Sequence, residues 1–202
     1  MKNHKHSTLL LKLNKKQFSS FFPILQKGFM VKALTGSSIK NLLCEQYKVK
    51  TDYLTERIKT IFLDGQPVDD VETASVKDGS TLALAAAMPG LVGATFRTGG
   101  VLSSFRSGIT YKGEEMATDS HEKGTVKIKL FNLVTGELGP LFLKQGVWLK
   151  KEDIKLLLQD SADILRPLIS YAEKDSQAMV PEQIAVLNWS EEPEDVHLRV
   201  LV

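Results

Sequence analysis

The chain has 202 residues, 43% of them hydrophobic and 25% charged, with a formal net charge of +2. That composition suits a globular protein able to bury its own core, and the near-zero charge argues against nucleic acid or an anionic membrane surface as partner. The single cysteine, Cys44, excludes an intramolecular disulfide framework and a cysteine-based zinc site.

Lys2, His4, Lys5 and His6 are read as a solvated terminus. The apolar run at Leu9 to Leu11 is too short for a secretory leader. The longest apolar tract, Leu82 to Phe96, is interrupted by Pro89, Gly90 and Gly93 and falls short of the roughly 20 residues that cross a bilayer. The expectation is a cytoplasmic protein.

In chain order, STLLLKL (Ser7 to Leu13) is a predicted strand. Phe18, Phe21, Phe22 and Leu25 recur at helical spacing, but Pro23 limits them to a short helix or turn ending near Gly28. FMVKAL (Phe29 to Leu34) is the next strand. Ser37 or Ser38 then caps a helix in which Ile39, Leu42, Leu43 and Tyr47 form the apolar stripe, and Cys44 follows directly after that stripe. In KTIFLDGQPVDD, Asp64-Gly65 supplies the positive φ angles of a tight hairpin, and Pro67-Val68 begins the return. A second turn at Lys77-Asp78-Gly79 leads into TLALAAA, whose small alanines suit a central strand under a helix.

Strand, connection, strand, helix, strand, short return, turn, strand is the order of a β-grasp sheet. The segments ILDGQPVDD-like (Ile61, Leu63 to Asp70) and VKDGSTLAL (Val76 to Leu84) resemble the second half of the ubiquitin-like sulfur carriers, the molybdopterin-synthase small subunit and the thiamin-pathway carrier. The resemblance covers about residues 7 to 90. It implies an α+β fold with an N-terminal β-grasp domain, placed at residues 1–108. It also implies a flexible tail ending in a diglycine whose carboxylate is activated. Here Gly99-Gly100 is the diglycine, preceded by Arg97, yet 102 residues follow Gly100, so a free carboxylate requires a peptidase.

The glycines Gly90, Gly93, Gly99 and Gly100 are expected to be loop glycines. The same segment offers two further readings. Backbone N–H groups with Arg97 or Arg106 suit an anion, although no Lys-Ser or Lys-Thr follows the glycines as a nucleotide P-loop requires. Phe96 and Phe105 among the glycines suit an interface patch.

Residues 109–202 are read as an α+β extension with its boundary in the polar stretch after Ile109. Thr125 to Val134 is predicted as a strand, with Val126, Ile128 and Leu130 alternating against Lys127 and Lys129. Thr135-Gly136 and Leu138-Gly139-Pro140 are read as turns of a small meander leading into VWLK. Glu152-Asp153 opens a predicted helix to about Ser170, kinked or ended by Pro167. Glu173 to Gln177 is read as polar connection. QIAVLNW and DVHLRVLV are predicted as a strand pair, and no internal repeat is evident.

Catalytic chemistry is sparse. His4 and His6 have metal-ligand spacing only at a chain end, and His121 and His197 stand apart. Cys44 is expected to be buried as a small apolar residue. Asp69-Asp70 and Glu114-Glu115 read as turn surface, Glu191 to Asp195 as a solvated loop, and Trp148 and Trp189 as packing residues. The expected function is therefore that of a non-catalytic ubiquitin-like module with a protein partner and no cofactor. Its candidate binding residues are Gly90, Gly93, Phe96, Arg97, Gly99, Gly100 and Arg106. The alternatives are a carrier or modifier precursor processed after Gly100, and an anion-binding protein or enzyme using loop 88–108.

Overall fold

Alternation of apolar and polar residues produces ten strands in the computed structural model, which describes residues 6–112, 122–184 and 187–202. Its strands are β1 (Ser7–Leu13), β2 (Phe29–Thr35), β3 (Thr60–Leu63), β4 (Gln66–Pro67), β5 (Thr81–Ala85), β6 (Glu122–Phe131), β7 (Val147–Lys150), β8 (Ile169–Lys174), β9 (Gln177–Met179) and β10 (Asp195–Leu201). The α-helices are α1 (Phe22–Lys27), α2 (Gly90–Phe96), α3 (Asn132–Gln145), α4 (Lys151–Asp160), α5 (Ala162–Leu165) and α6 (Pro181–Ile184). The chain is thus α+β. It divides into two compact units, residues 30–138 and residues 1–29 with 139–202. The expected boundary at 108 coincides with neither limit.

In the 30–138 unit the strands lie in the order β4-β3-β5-β6-β2. The Asp64-Gly65 hairpin forms as expected, with φ of +50° and +83°, and pairs Leu63 with Gln66. β3 runs antiparallel to β5, and β5 parallel to β6. Ser38 caps the expected helix by accepting the Asn41 N–H. That helix is wound more widely than an α-helix, with bonds such as Tyr47 N–H to the Leu42 carbonyl, and a second such segment spans Tyr53–Arg57. Ile39, Leu42, Leu43 and Leu54 bury their side chains in the same core as Ile61, Leu82, Leu84, Val126, Ile128 and Leu130.

In the other unit the order is β7-β10-β1-β8-β9. β1 lies parallel to β10 and antiparallel to β8, β10 is antiparallel to β7, and β8 is antiparallel to β9. Leu9, Leu11, Phe21, Leu25, Phe29, Phe142, Val147, Ile154, Ala172 and Leu198 fill this core.

Set side by side, the two strand orders share a plan. Each has a short edge strand, an antiparallel neighbour, a central parallel pair and an outer strand, with a helical segment following the outer strand in the chain.

Several expectations are corrected. β1 does not pair with β5 but with β10 and β8, and the place parallel to β5 belongs to β6, drawn from the expected extension. Residues 132–145 are a helix rather than turns and a meander. Asn132 starts it in a left-handed conformation (φ +46°) and its side chain bonds both Ala86 N–H and Ala86 O. Pro140 lies inside this helix, and Gly139 leaves room for Leu25, whose Cδ1 would lie 2.5 Å from any added Cβ. The predicted helix 152–170 stops at Asp160, resumes as α5 and gives way to β8. Glu173 to Gln177 is a hairpin turned at Asp175 and Ser176, both with positive φ. α6 runs into the start of QIAVLNW, covering Gln183 and Ile184, and β10 pairs with β1 and β7 instead of with it. His4, His121 and Glu114-Glu115 lie outside the described residues.

Candidate functional site: the 88–111 segment

The segment after β5 folds back against β3 and β4 rather than trailing as a tail. Gly90 enters α2 at φ +81°, a conformation open to glycine. Gly93 is inside α2, where any Cβ would lie 2.2 Å from the Met88 carbonyl oxygen. Phe96 lays its ring 5.2 Å from that of Phe62 on β3. The Thr98 N–H donates to Lys59 O at 2.8 Å, its hydroxyl to Val68 O at 3.2 Å, and the Tyr111 N–H to Pro67 O at 2.8 Å. Of the four expected loop glycines, Gly90 and Gly99 have positive φ.

Arg106 holds this segment together. Its side chain is 2% exposed and forks onto Asp69, with Nη2 donating to Oδ1 at 2.6 Å and Nη1 to Oδ2 at 3.0 Å. Nε donates to Thr95 O at 2.8 Å and Nη1 also reaches Thr110 Oγ1 at 2.9 Å. Such a bidentate, buried guanidinium is fully committed. The expectation that Arg106 receives an anionic ligand is therefore corrected: its partner is Asp69, expected only as turn surface. Asp69 also accepts the Gly99 N–H at 3.2 Å. Gly100 N–H bonds to Arg97 O at 3.0 Å. Arg97 itself is exposed.

The clamped segment carries several exposed apolar side chains besides Phe105. Leu91, Val92, Val101, Phe105 and Ile109 are between 55% and 96% exposed. Five large apolar side chains displayed within 19 residues exceed the scattered singletons normal on a protein surface.

Cys44 is buried, and desolvation raises its thiol pKa, which suppresses the nucleophilic thiolate. Tyr53 donates to Glu137 at 2.6 Å and Arg57 forks onto the same carboxylate. The Arg57 hydrogen bond holds Glu137 below the usual carboxylate range. In the unit containing β1, a polar cleft of about 960 Å³ lies beside the β8–β9 turn. Its charged floor is internally matched, with Lys174 paired to Asp175 at 2.7 Å and Glu192 at 2.9 Å. Trp189 is buried, and Trp148 sits between the rings of His6 and His197.

Among the described residues no group of three or more His, Cys, Asp or Glu is placed to hold a metal ion, and no helix is long and apolar enough to cross a membrane. No family model matches the chain, and neither the curated proteins nor the solved structures include a match to it.

Proposed function

We propose that the protein is a non-catalytic interaction module, and that its 30–138 unit is a β-grasp sheet whose strand beside β5 is supplied by β6. The topology supports the fold half of this reading: β2, a helical segment, β3, the short β4 and β5 follow in order, with a parallel strand next to β5. The observation that carries the function half is the exposed cluster Leu91, Val92, Val101, Phe105 and Ile109, held in shape by the Arg106–Asp69 fork. A rigid apolar surface binds without the ordering cost that a mobile tail incurs. Its partner is a protein presenting a complementary apolar patch.

The hydrogen bonds at Gly99 and Gly100 favour this reading over a carrier precursor, since a peptidase needs extended, accessible backbone there. A photo-crosslinking residue in place of Phe105, in the cell of origin, is expected to give one discrete protein adduct. That adduct should disappear when Val92 and Val101 are changed to Ser, with folding unaltered. Absence of any adduct counts against the module. A chain recovered ending at Gly100 instead establishes the precursor.

A further inference from the structure

β4 and β9 are short strands at the ends of their sheet orders, and the chain treats them differently. At β4 and the residue after it, the Pro67 and Val68 carbonyls accept the Tyr111 N–H and the Thr98 hydroxyl, so the 88–111 segment closes that edge. Around β9, the turn residues Asp175 and Ser176 lie at φ +50° and +67°. A two-residue turn of this kind bonds its flanking residues, Lys174 and Gln177, to each other. Bonded and unbonded pairs alternate along an antiparallel ladder, so Glu173 and Ala178, the next opposed pair, are unbonded. In keeping with this alternation, the Asp175 N–H turns away from β9 and donates to Thr8 O at 3.0 Å.

Ala178 therefore directs its N–H and C=O away from β8, out of the sheet's edge. The next outward residue, Val180, is satisfied by Gln183, whose Oε1 accepts its N–H at 3.2 Å and whose N–H bonds its carbonyl at 3.0 Å. Ala178 is exposed and has no such partner among the described residues. The polar cleft of about 960 Å³ borders this gap, lined by all three residues of β9 and by Gln183, Asn188 and Glu191 from the segment after it. That volume is in the range of ligand pockets. Its charged side chains are one cation, Lys174, and the carboxylates of Asp175, Glu191 and Glu192. Lys174 is bound by Asp175 and Glu192. Glu191 accepts Asn188 Nδ2 at 2.8 Å and has no ion-pair partner among the described residues.

We infer that β9 is extended by a strand from a partner protein, one residue of which exchanges both main-chain bonds with Ala178 while a Lys or Arg beside it faces Glu191. Adding a strand to an open edge takes its affinity from main-chain bonds and its specificity from alternate side chains. Register sets where the cation belongs. Lys174 and Gln177 are opposed and share a face, and Lys174 reaches Glu192 from it, so the cleft lies on that face. The peptide residue opposite Ala178 points away from the cleft, and its two neighbours point into it. A second copy of the chain is a poorer occupant, because pairing β9 with β9 brings two acidic clefts together.

The test titrates acetyl-Arg-Val-Arg-amide into the isotope-labelled full chain while the Ala178 amide resonance is followed. A saturable shift centred on β9 is expected. N-methylation of the peptide's valine, which deletes one of the two main-chain bonds, should weaken binding at least about fivefold. Acetyl-Glu-Val-Glu-amide should bind at least about fivefold more weakly, through like-charge repulsion. Ala178→Pro should abolish binding with the unfolding midpoint near wild type, since the ladder does not use the N–H it removes. If that variant is destabilised, the N-methyl peptide on the wild-type chain still decides. No saturable shift at Ala178, or full affinity for the N-methyl peptide, overturns the strand addition, and equal affinity for the acidic peptide overturns its preference for cations. Self-association of the chain alone in sedimentation, lost in Ala178→Pro, gives the edge to a second copy and overturns the inference too. This edge is independent of the 88–111 surface, so either proposal can fail alone.

Discussion

At the scale of single residues, two arginines with the same sequence standing have opposite fates. Arg97 and Arg106 both lie among glycines, and both were candidates for an anion. Arg97 is exposed, whereas Arg106 is buried on Asp69. Removing a buried guanidinium strands its carboxylate partner together with Thr95 O and Thr110 Oγ1, so Arg106→Ala is expected to lower unfolding stability by about 3 kcal/mol. Arg97→Ala should stay within about 0.5 kcal/mol. Urea denaturation of the two variants checks the contrast, and equal midpoints contradict the clamp. The sequence placed Arg106 37 positions from Asp69, and nothing local ties such residues together. Cys44 is the opposite case: a lone small apolar thiol on a predicted helix is expected to be buried, and burial is found.

At the scale of elements, local chemistry was a good guide wherever a turn or cap is made by adjacent residues. The Asp64-Gly65 hairpin, the Ser38 cap and the short helix ending at Gly28 all follow from their own neighbours. α3 was misread because Gly136, Gly139 and Pro140 carry strong turn signals. Gly139 instead serves close packing against Leu25, and the proline is accommodated within a 14-residue helix. α3 also carries Glu137, which receives Arg57 and Tyr53 from the helical segment Tyr53–Arg57. Because the folded-state pKa of Glu137 is lowered, this link is fully present above the ordinary carboxylate value of 4.5. It is lost as pH falls through the lowered value, where the unfolded chain binds the extra proton. Glu137→Gln should therefore be less stable than wild type at pH 6, and the gap should narrow towards pH 3. Urea midpoints across that range measure it, and a gap independent of pH refutes the link.

At the scale of the whole molecule, strand pairing assigns the chain differently from strand order. β6 lies parallel to β5, so the 30–138 unit has all its strands between β2 and the start of α3. A fragment of residues 30–145 is accordingly expected to unfold cooperatively by circular dichroism. A fragment of residues 1–108, the division that the sequence suggested, lacks β6 and should not. The reverse result would restore the sequence boundary. What the sequence determined by itself was the set of period-2 and period-3.6 stripes and the tight turns, because each depends on residues a few positions apart. Only the tertiary structure decided that β1 pairs with β10 across nearly the whole chain, that β6 lies parallel to β5, and that Arg106 meets Asp69. Pairing is a competition among edges and cores that are distant in sequence. An alternating strand specifies which face it buries, but not which neighbour it takes.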